Sequence, residues 1–179
     1  SSPLAFWRSL QTHMRFAGTV GEAADARLVE RMRNKVEEDW DDDEEKAQHE
    51  EAALQEASRF FASRTPDEIA WLDDLARFAQ AAHHRPDEKA AALLSWIDEH
   101  LREGDGWGTE RLIVFTEYKD TLEYLQGLLS DKDCEDRVLT LCGGMPTEQR
   151  EAIKAAFQAS PHEQPVRILL ATDAASEGL

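Results

Sequence analysis

Few of the residues that advertise a mechanism are present in this chain. Two cysteines, Cys134 and Cys142, occur in 179 residues, with no Cys-x-x-Cys and no histidine pair beside them. A disulfide framework and a zinc site are therefore not indicated, and Cys142 reads as a small buried hydrophobe. No apolar run approaches the roughly 20 residues a membrane helix needs, and no basic-plus-apolar segment opens the chain. The expected setting is a reducing cytoplasm, with no membrane partner. No lysine is followed by Ser or Thr, so the phosphate loop GxxxxGK[ST] is missing. Positive charge is also scarce. Twenty Lys and Arg stand against 37 Asp and Glu, a net charge of −17 that repels a phosphate backbone, so any nucleic-acid contact has to be local. The chain opens on Ser1-Ser2-Pro3 without Met and closes just after an apolar strand, which reads as a piece of something longer.

Two periodicities divide what is present. Residues 1–108 carry helical spacing: Leu4, Trp7, Leu10 and Met14; Leu28, Met32 and Val36; Leu54, Ala57 and Phe61. "TPDE" at 65–68 predicts a helix start with Thr65 as N-cap, Pro66 at the first helical position and Glu68 reaching back, followed by Ile69, Leu72, Leu75 and Ala79. A second start at Pro86-Asp87-Glu88 leads into Leu93, Leu94, Ile97 and Leu101. The three glycines of "EGDGWGTE", 103–110, are expected to end that helix and free the chain to turn. Most of the repulsion lies in this half, which holds 13 basic and 25 acidic residues through position 110. Within it, residues 37–51 hold ten acids and one lysine. That strip reads either as a solvated helix surface or as a surface that excludes or mimics DNA, or docks a basic protein partner.

Several tempting features carry no chemistry. "ALLSWIDEHL", 92–101, imitates the apolar strand and Asp-Glu pair that hold magnesium in ATPases, with Asp98 and Glu99 in the catalytic places. Its apolar spacing is helical and the phosphate loop is absent, so the pair reads as exposed helix acids. The six histidines show no metal-ligand spacing, and no metal site is expected.

From 109 the pattern changes. "RLIVFTEY" starts a strand at 111, Leu122, Leu125, Leu128 and Leu129 mark a helix, "RVLTLC" a second strand, "MPTEQREAIKAAF" a second helix and "VRILLAT" a third strand. Strands alternating with helices imply right-handed crossovers and a parallel sheet. The fold class is therefore α/β: an N-terminal helical region, 1–108, followed by a βαβαβ unit, 109–179. Ligands in such sheets gather beyond the carboxyl ends of the strands, where loops and helix N-termini meet. "FTEYKD", "CGGMPTEQR" and "TDAASEGL" fall there and should form one rim. Hydroxyls at Thr116, Tyr118, Thr147 and Thr172, glycine backbone at Gly143, Gly144 and Gly178, and cations at Lys119 and Arg150 are groups that position phosphates. No nucleophile-base pair accompanies them, so no catalytic residue is assigned. Each group alone also has a plain structural reading, such as an ordinary turn at Gly143-Gly144; their convergence points to a site.

The order "IVFTEYKDTLEYL", "LCGGMPTEQREAIKAAF" and "ILLATDAASEGL" resembles motif IV, the following glycine-containing segment and motif V of the second RecA-like lobe of superfamily 2 helicases, particularly bacterial SWI/SNF-like translocases. "DEKAAALLSWI", 87–97, is similar to the helix preceding that lobe, so the resemblance covers about 86–179. It implies an incomplete RecA-like lobe ending at motif V, from a protein that couples ATP hydrolysis to movement on DNA, with RNA open as the substrate. Tyr118, Lys119, Gly143, Gly144 and Thr172 would then lie along the nucleic-acid backbone. Glu177 and Gly178 would face the inter-lobe cleft and its nucleotide, while Asp173 braces its own loop. ATP and magnesium are expected in the complete protein, with the first RecA-like lobe as partner, and not on these residues alone: the first lobe and the arginine-bearing motif VI are lacking. Two rivals remain: a non-enzymatic interaction module with an acidic helical surface on an α/β scaffold, and a flavodoxin-type domain. The second is disfavoured because "TEYKD" offers no glycine or serine cradle.

Overall fold

A computed structural model describes residues 2–16, 41–59, 64–130 and 134–176. The expected stripe at Leu28, Met32 and Val36 lies outside these residues, as does Phe61.

Among the described residues four helices come first: α1 (Pro3–Phe16), α2 (Asp43–Arg59), α3 (Pro66–Ala82) and α4 (Glu88–His100). Their starts follow their sequence. Thr65 caps α3 in a full capping box, its side chain accepting from the Glu68 N–H while Glu68 accepts from the Thr65 N–H. Asp87 caps α4 by accepting from the Ala90 N–H at 2.8 Å. Asp42 does the same for α2, its carboxylate taking the N–H groups of Glu44 and Glu45. Acids at Asp43, Glu44 and Glu45 complement the helix dipole in the first turn.

The glycine-rich stretch after α4 is more ordered than the loop its composition suggests. Helix α4 has already ended at the Leu101 C-cap, and β1 (Arg102–Glu103) pairs antiparallel with β2 (Gly106–Trp107). Gly104, at φ +58°, supplies the left-handed residue of this tight turn.

The remainder is β3 (Leu112–Thr116), α5 (Lys119–Ser130), a 3₁₀ turn (Glu135–Arg137), β4 (Val138–Leu141), α6 (Thr147–Gln158), β5 (Ile168–Thr172) and the short α7 (Asp173–Ser176). The sheet is parallel in the order β3-β5-β4, so the last strand runs between the first two. Leu112 pairs with Ile168 and Thr116 with Thr172 on one side of β5; Val138 pairs with Ile168 on the other. Central β5 is buried along its whole length, as its unbroken apolar run requires.

Residues alternate between the two faces. Leu112, Val114, Ile168 and Leu170 join Leu122, Leu125, Leu128 and Leu129 of α5 and Ala90, Leu94 and Ile97 of α4 in one core. Leu139, Leu141, Leu169 and Ala171 pack with Met145, Ile153 and Phe157 in the other. The chain is thus mixed α/β with a parallel sheet, as expected for a RecA-like lobe. Helix α4 shares the sheet's core, so packing is continuous across the change of composition at 108. Tyr124 ties this joint: its hydroxyl accepts from the Asp87 N–H and donates to the Arg85 carbonyl, both at 2.8 Å.

Candidate functional site

Three loops leave the carboxyl ends of the three parallel strands, and the backbone there sets the site. After β3, Thr116 turns its hydroxyl back to the Tyr118 carbonyl at 3.2 Å, presenting Tyr118 and Lys119 at the start of α5. After β4, Gly143 and Gly144 form a turn in which Gly144 has φ +76°. Gly143 is needed for space, because a Cβ there would stand 2.8 Å from the Ala174 Cβ. After β5, Thr172 leads into α7, and its hydroxyl accepts from the Gly143 N–H at 3.2 Å. Arg150, on the first turn of α6, donates to the Ala175 carbonyl at 3.3 Å. Register brings the three loops together: Thr116 pairs with Thr172 across β3 and β5, and Leu141 with Ala171 across β4 and β5.

Tyr118, Lys119, Gly143, Gly144 and Thr172 therefore share one rim, whereas Glu177 and Gly178 lie outside the described residues. Asp173 is solvent-exposed at the start of α7. Asp98, the magnesium-box look-alike, lies on α4 and pairs with Arg102 of β1 at 3.1 Å.

The rim is not bare. The amino end of α2 lies on it, and each of the five residues meets a side chain from 42–46. The Asp43 carboxylate accepts from the Gly143 N–H at 2.5 Å and from the Thr172 hydroxyl at 2.6 Å. Glu44 pairs with Lys119. The Asp42 carboxylate fills the space a Cβ on Gly144 would need. Lys46 stands 4.9 Å from the centre of the Tyr118 ring and donates to the Glu117 carbonyl at 3.4 Å. Asp43 is 3% exposed and Thr172 fully buried, so this is a packed contact.

Protonation follows this arrangement. The hydrogen bond to Glu44 raises the Lys119 pKa, outweighing partial burial. Partial burial, reinforced by the Asp43 charge, pushes the Cys142 thiol up. Burial also raises Glu50, one turn beyond the rim. Beside these groups an open groove of about 1210 Å³ runs between α1, α2, α3 and α5, lined among others by Arg8, Glu50, Asp120 and Glu123. Arg8 of α1 bridges to Asp120 and Glu123 of α5, anchoring the helical layer beside the rim.

Sequence reasoning missed Asp43 as a rim residue. Its only visible signal was the acidic strip, in which a buried acid looks the same as an exposed one. Among the described residues no group of three or more His, Cys, Asp or Glu side chains could hold a metal ion. No described helix is long and apolar enough to cross a membrane.

Fold and rim together define an α/β unit with a parallel sheet whose donor groups converge beyond the strand ends. Residues 92–179 match the family model described as helicase conserved C-terminal domain. Across 96% of its length the chain is similar to a crystal structure of the C-terminal part of the Fun30 ATPase domain, with 12% identity and a TM-score of 0.37. It spans about half of that structure, 53% of its chain. Among curated proteins, nothing matches.

Proposed function

We propose that this chain is part of an ATP-dependent DNA helicase or translocase of the SWI/SNF-like group, in which the rim receives the phosphate backbone. The carrying observation is that residues 92–179, which match the helicase C-terminal domain, place hydroxyl, N–H and ammonium donors from three separate loops at one end of the sheet. Such a set suits phosphate oxygens. Backbone N–H and hydroxyl groups fix position, and a lysine adds charge without reading bases. The described residues contain no phosphate loop, and Glu177 and Gly178, proposed to face the nucleotide, lie outside them. ATP, magnesium, the first lobe and a cytoplasmic setting therefore belong to the proposal for the complete protein, and no chemical step is assigned here.

The test is binding and turnover by the 179-residue chain. Weak duplex binding that steepens with falling salt and drops on Lys119→Ala is the expected outcome, with no DNA-stimulated ATPase activity. Robust turnover by this chain, or binding indifferent to salt and to Lys119, would sink the reading.

One observation favours the second reading, an interaction module. Trp71 and Phe78, both 70% exposed, lie with Leu75 along α3 at helical spacing. In the complete gene product, motor activity unchanged on substituting Lys119 and Thr172, together with partner binding lost on Trp71→Ala/Phe78→Ala, would decide for the module.

A further inference from the structure

From the contacts of α2 we infer that the acidic segment 42–46 is a built-in occupant of the rim, its carboxylates holding the phosphate positions until nucleic acid displaces them. This rests on the reading of the rim as a phosphate-backbone site.

Acids at the start of a helix need no special explanation, since they favour the helix dipole. Asp42 and Glu45 are of that kind: Asp42 caps α2, and Glu45 sits in its first turn. Asp43 and Glu44 go further. Their side chains reach groups 75 to 129 positions away in sequence, and those groups are the donors of the rim.

Burying a carboxylate is costly unless its oxygens are well supplied with donors. Asp43 is supplied at one oxygen, Oδ2, by a backbone N–H and a hydroxyl. That is the donor set a non-bridging phosphate oxygen receives in positioning contacts. Glu44 meanwhile neutralises Lys119, the rim's cation. Lys46, lying over the Tyr118 ring, covers the remaining group.

Geometry makes the two occupants exclusive. With Asp43 in place Thr172 is fully buried, and Asp42 fills the space over Gly144, so a phosphate reaches neither until the amino end of α2 moves. The apparent affinity for nucleic acid is then the intrinsic affinity multiplied by the fraction of molecules in which the segment is off the rim.

The experiment compares the full 179-residue chain with Asp43→Asn/Glu44→Gln, which removes two charges at nearly constant shape. Its control is Asp73→Asn/Asp74→Asn, an equal charge change on the exposed surface of α3. Affinity for a fluorescein-labelled DNA duplex is read by anisotropy across a salt series, after thermal melts confirm folding. The rim variant is expected to bind about tenfold tighter than wild type, corresponding to a rim about nine-tenths occupied. Its salt slope should steepen by about one counterion as Lys119 is freed, and Lys119→Ala in the same background should abolish the gain.

An equal gain in the control would show general charge repulsion and overturn the inference while leaving the rim's function intact. The inference also fails if the rim variant gains nothing although wild-type binding depends on Lys119. Binding that depends on Lys119 in no variant would overturn the functional reading itself. Hydrogen exchange on the wild-type chain supplies a readout that needs no variant: adding duplex should lower protection at the amides of Lys46 and Ala47, and unchanged protection would overturn displacement.

Discussion

A single side chain can close a joint that no periodicity reveals, and Arg167 does so here. It is nearly buried, and its guanidinium donates to the carbonyls of Gly108, Pro161, Gln164 and Val166 at 2.7–2.9 Å. Burial pulls its pKa down, with the charges of Arg137 and Arg111 adding to the effect. The planar fork suits several carbonyls at once, holding the loop before β5 against the loop before β3. Arg167→Met leaves those carbonyls without a donor and is expected to cost about 3 kcal/mol, lowering Tm by roughly 6–12 °C in a calorimetric scan. Arg167→Lys should recover only part of that, because an ammonium has three donors in a different geometry. An unchanged melting temperature in both variants would show that the four hydrogen bonds are not holding the loops.

Among the elements, α3 shows how far local chemistry can define a helix. Its outer face is exposed at Ile69, Trp71, Leu75 and Phe78, while its other side meets α1, where Trp7 stacks on the His83 C-cap at 4.3 Å. The capping box fixes its amino end. Hydrogen bonds from the Thr65 N–H and hydroxyl hold the Glu68 carboxyl below its ordinary value. A depressed carboxyl pKa contributes stability that is present above the unfolded-state value and lost as pH falls through the folded one. Thr65→Ala is expected to lower Tm by roughly 2–4 °C at pH 7, with the difference shrinking as the pH is lowered toward 3 and Glu68 loses its charge. Circular dichroism melts at the two pH values check this, and a pH-independent difference would count against the carboxylate's part.

Over the whole molecule, one hydrophobic core joins helix α4 to the βαβαβ unit. Leu94, Ile97 and Leu101 of the α4 segment pack with Leu122, Leu125 and Leu129 of α5 and with Ile168 and Leu170 of β5. A large-to-small change in α4 should therefore loosen the sheet. Ile97→Ala is expected to cost about 3 kcal/mol and to shift the unfolding of helix and sheet together. Separate transitions, with the sheet melting as in wild type, would mean that α4 is an independent neighbour. On the opposite face of the sheet Phe115 is 51% exposed beside Ile113, so that face is covered only in part by α6. The acidic helix α2 belongs to this scale too, since its importance comes from where it lands.

By itself the sequence determined the elements, because each rests on neighbours a few residues away. Capping residues, a 3.6-residue stripe or an unbroken aliphatic strand specify α3, α4, α5 and β5 locally, and glycines mark the turn after β4. The parallel sheet and the meeting of Tyr118, Lys119, Gly143, Gly144 and Thr172 followed from strand-helix alternation, since such connections leave their loops at one end of the sheet. Only the tertiary structure decided what was non-local. It placed β5 between β3 and β4, turned "REGDGW" into a hairpin, joined α4 to the core of the sheet and set Asp43 on the rim. The physical reason is the same in each case. A carboxylate in an acidic strip has the same chemistry whether it faces water or a buried hydroxyl, and only the packing of α2 against the strand ends tells the two apart.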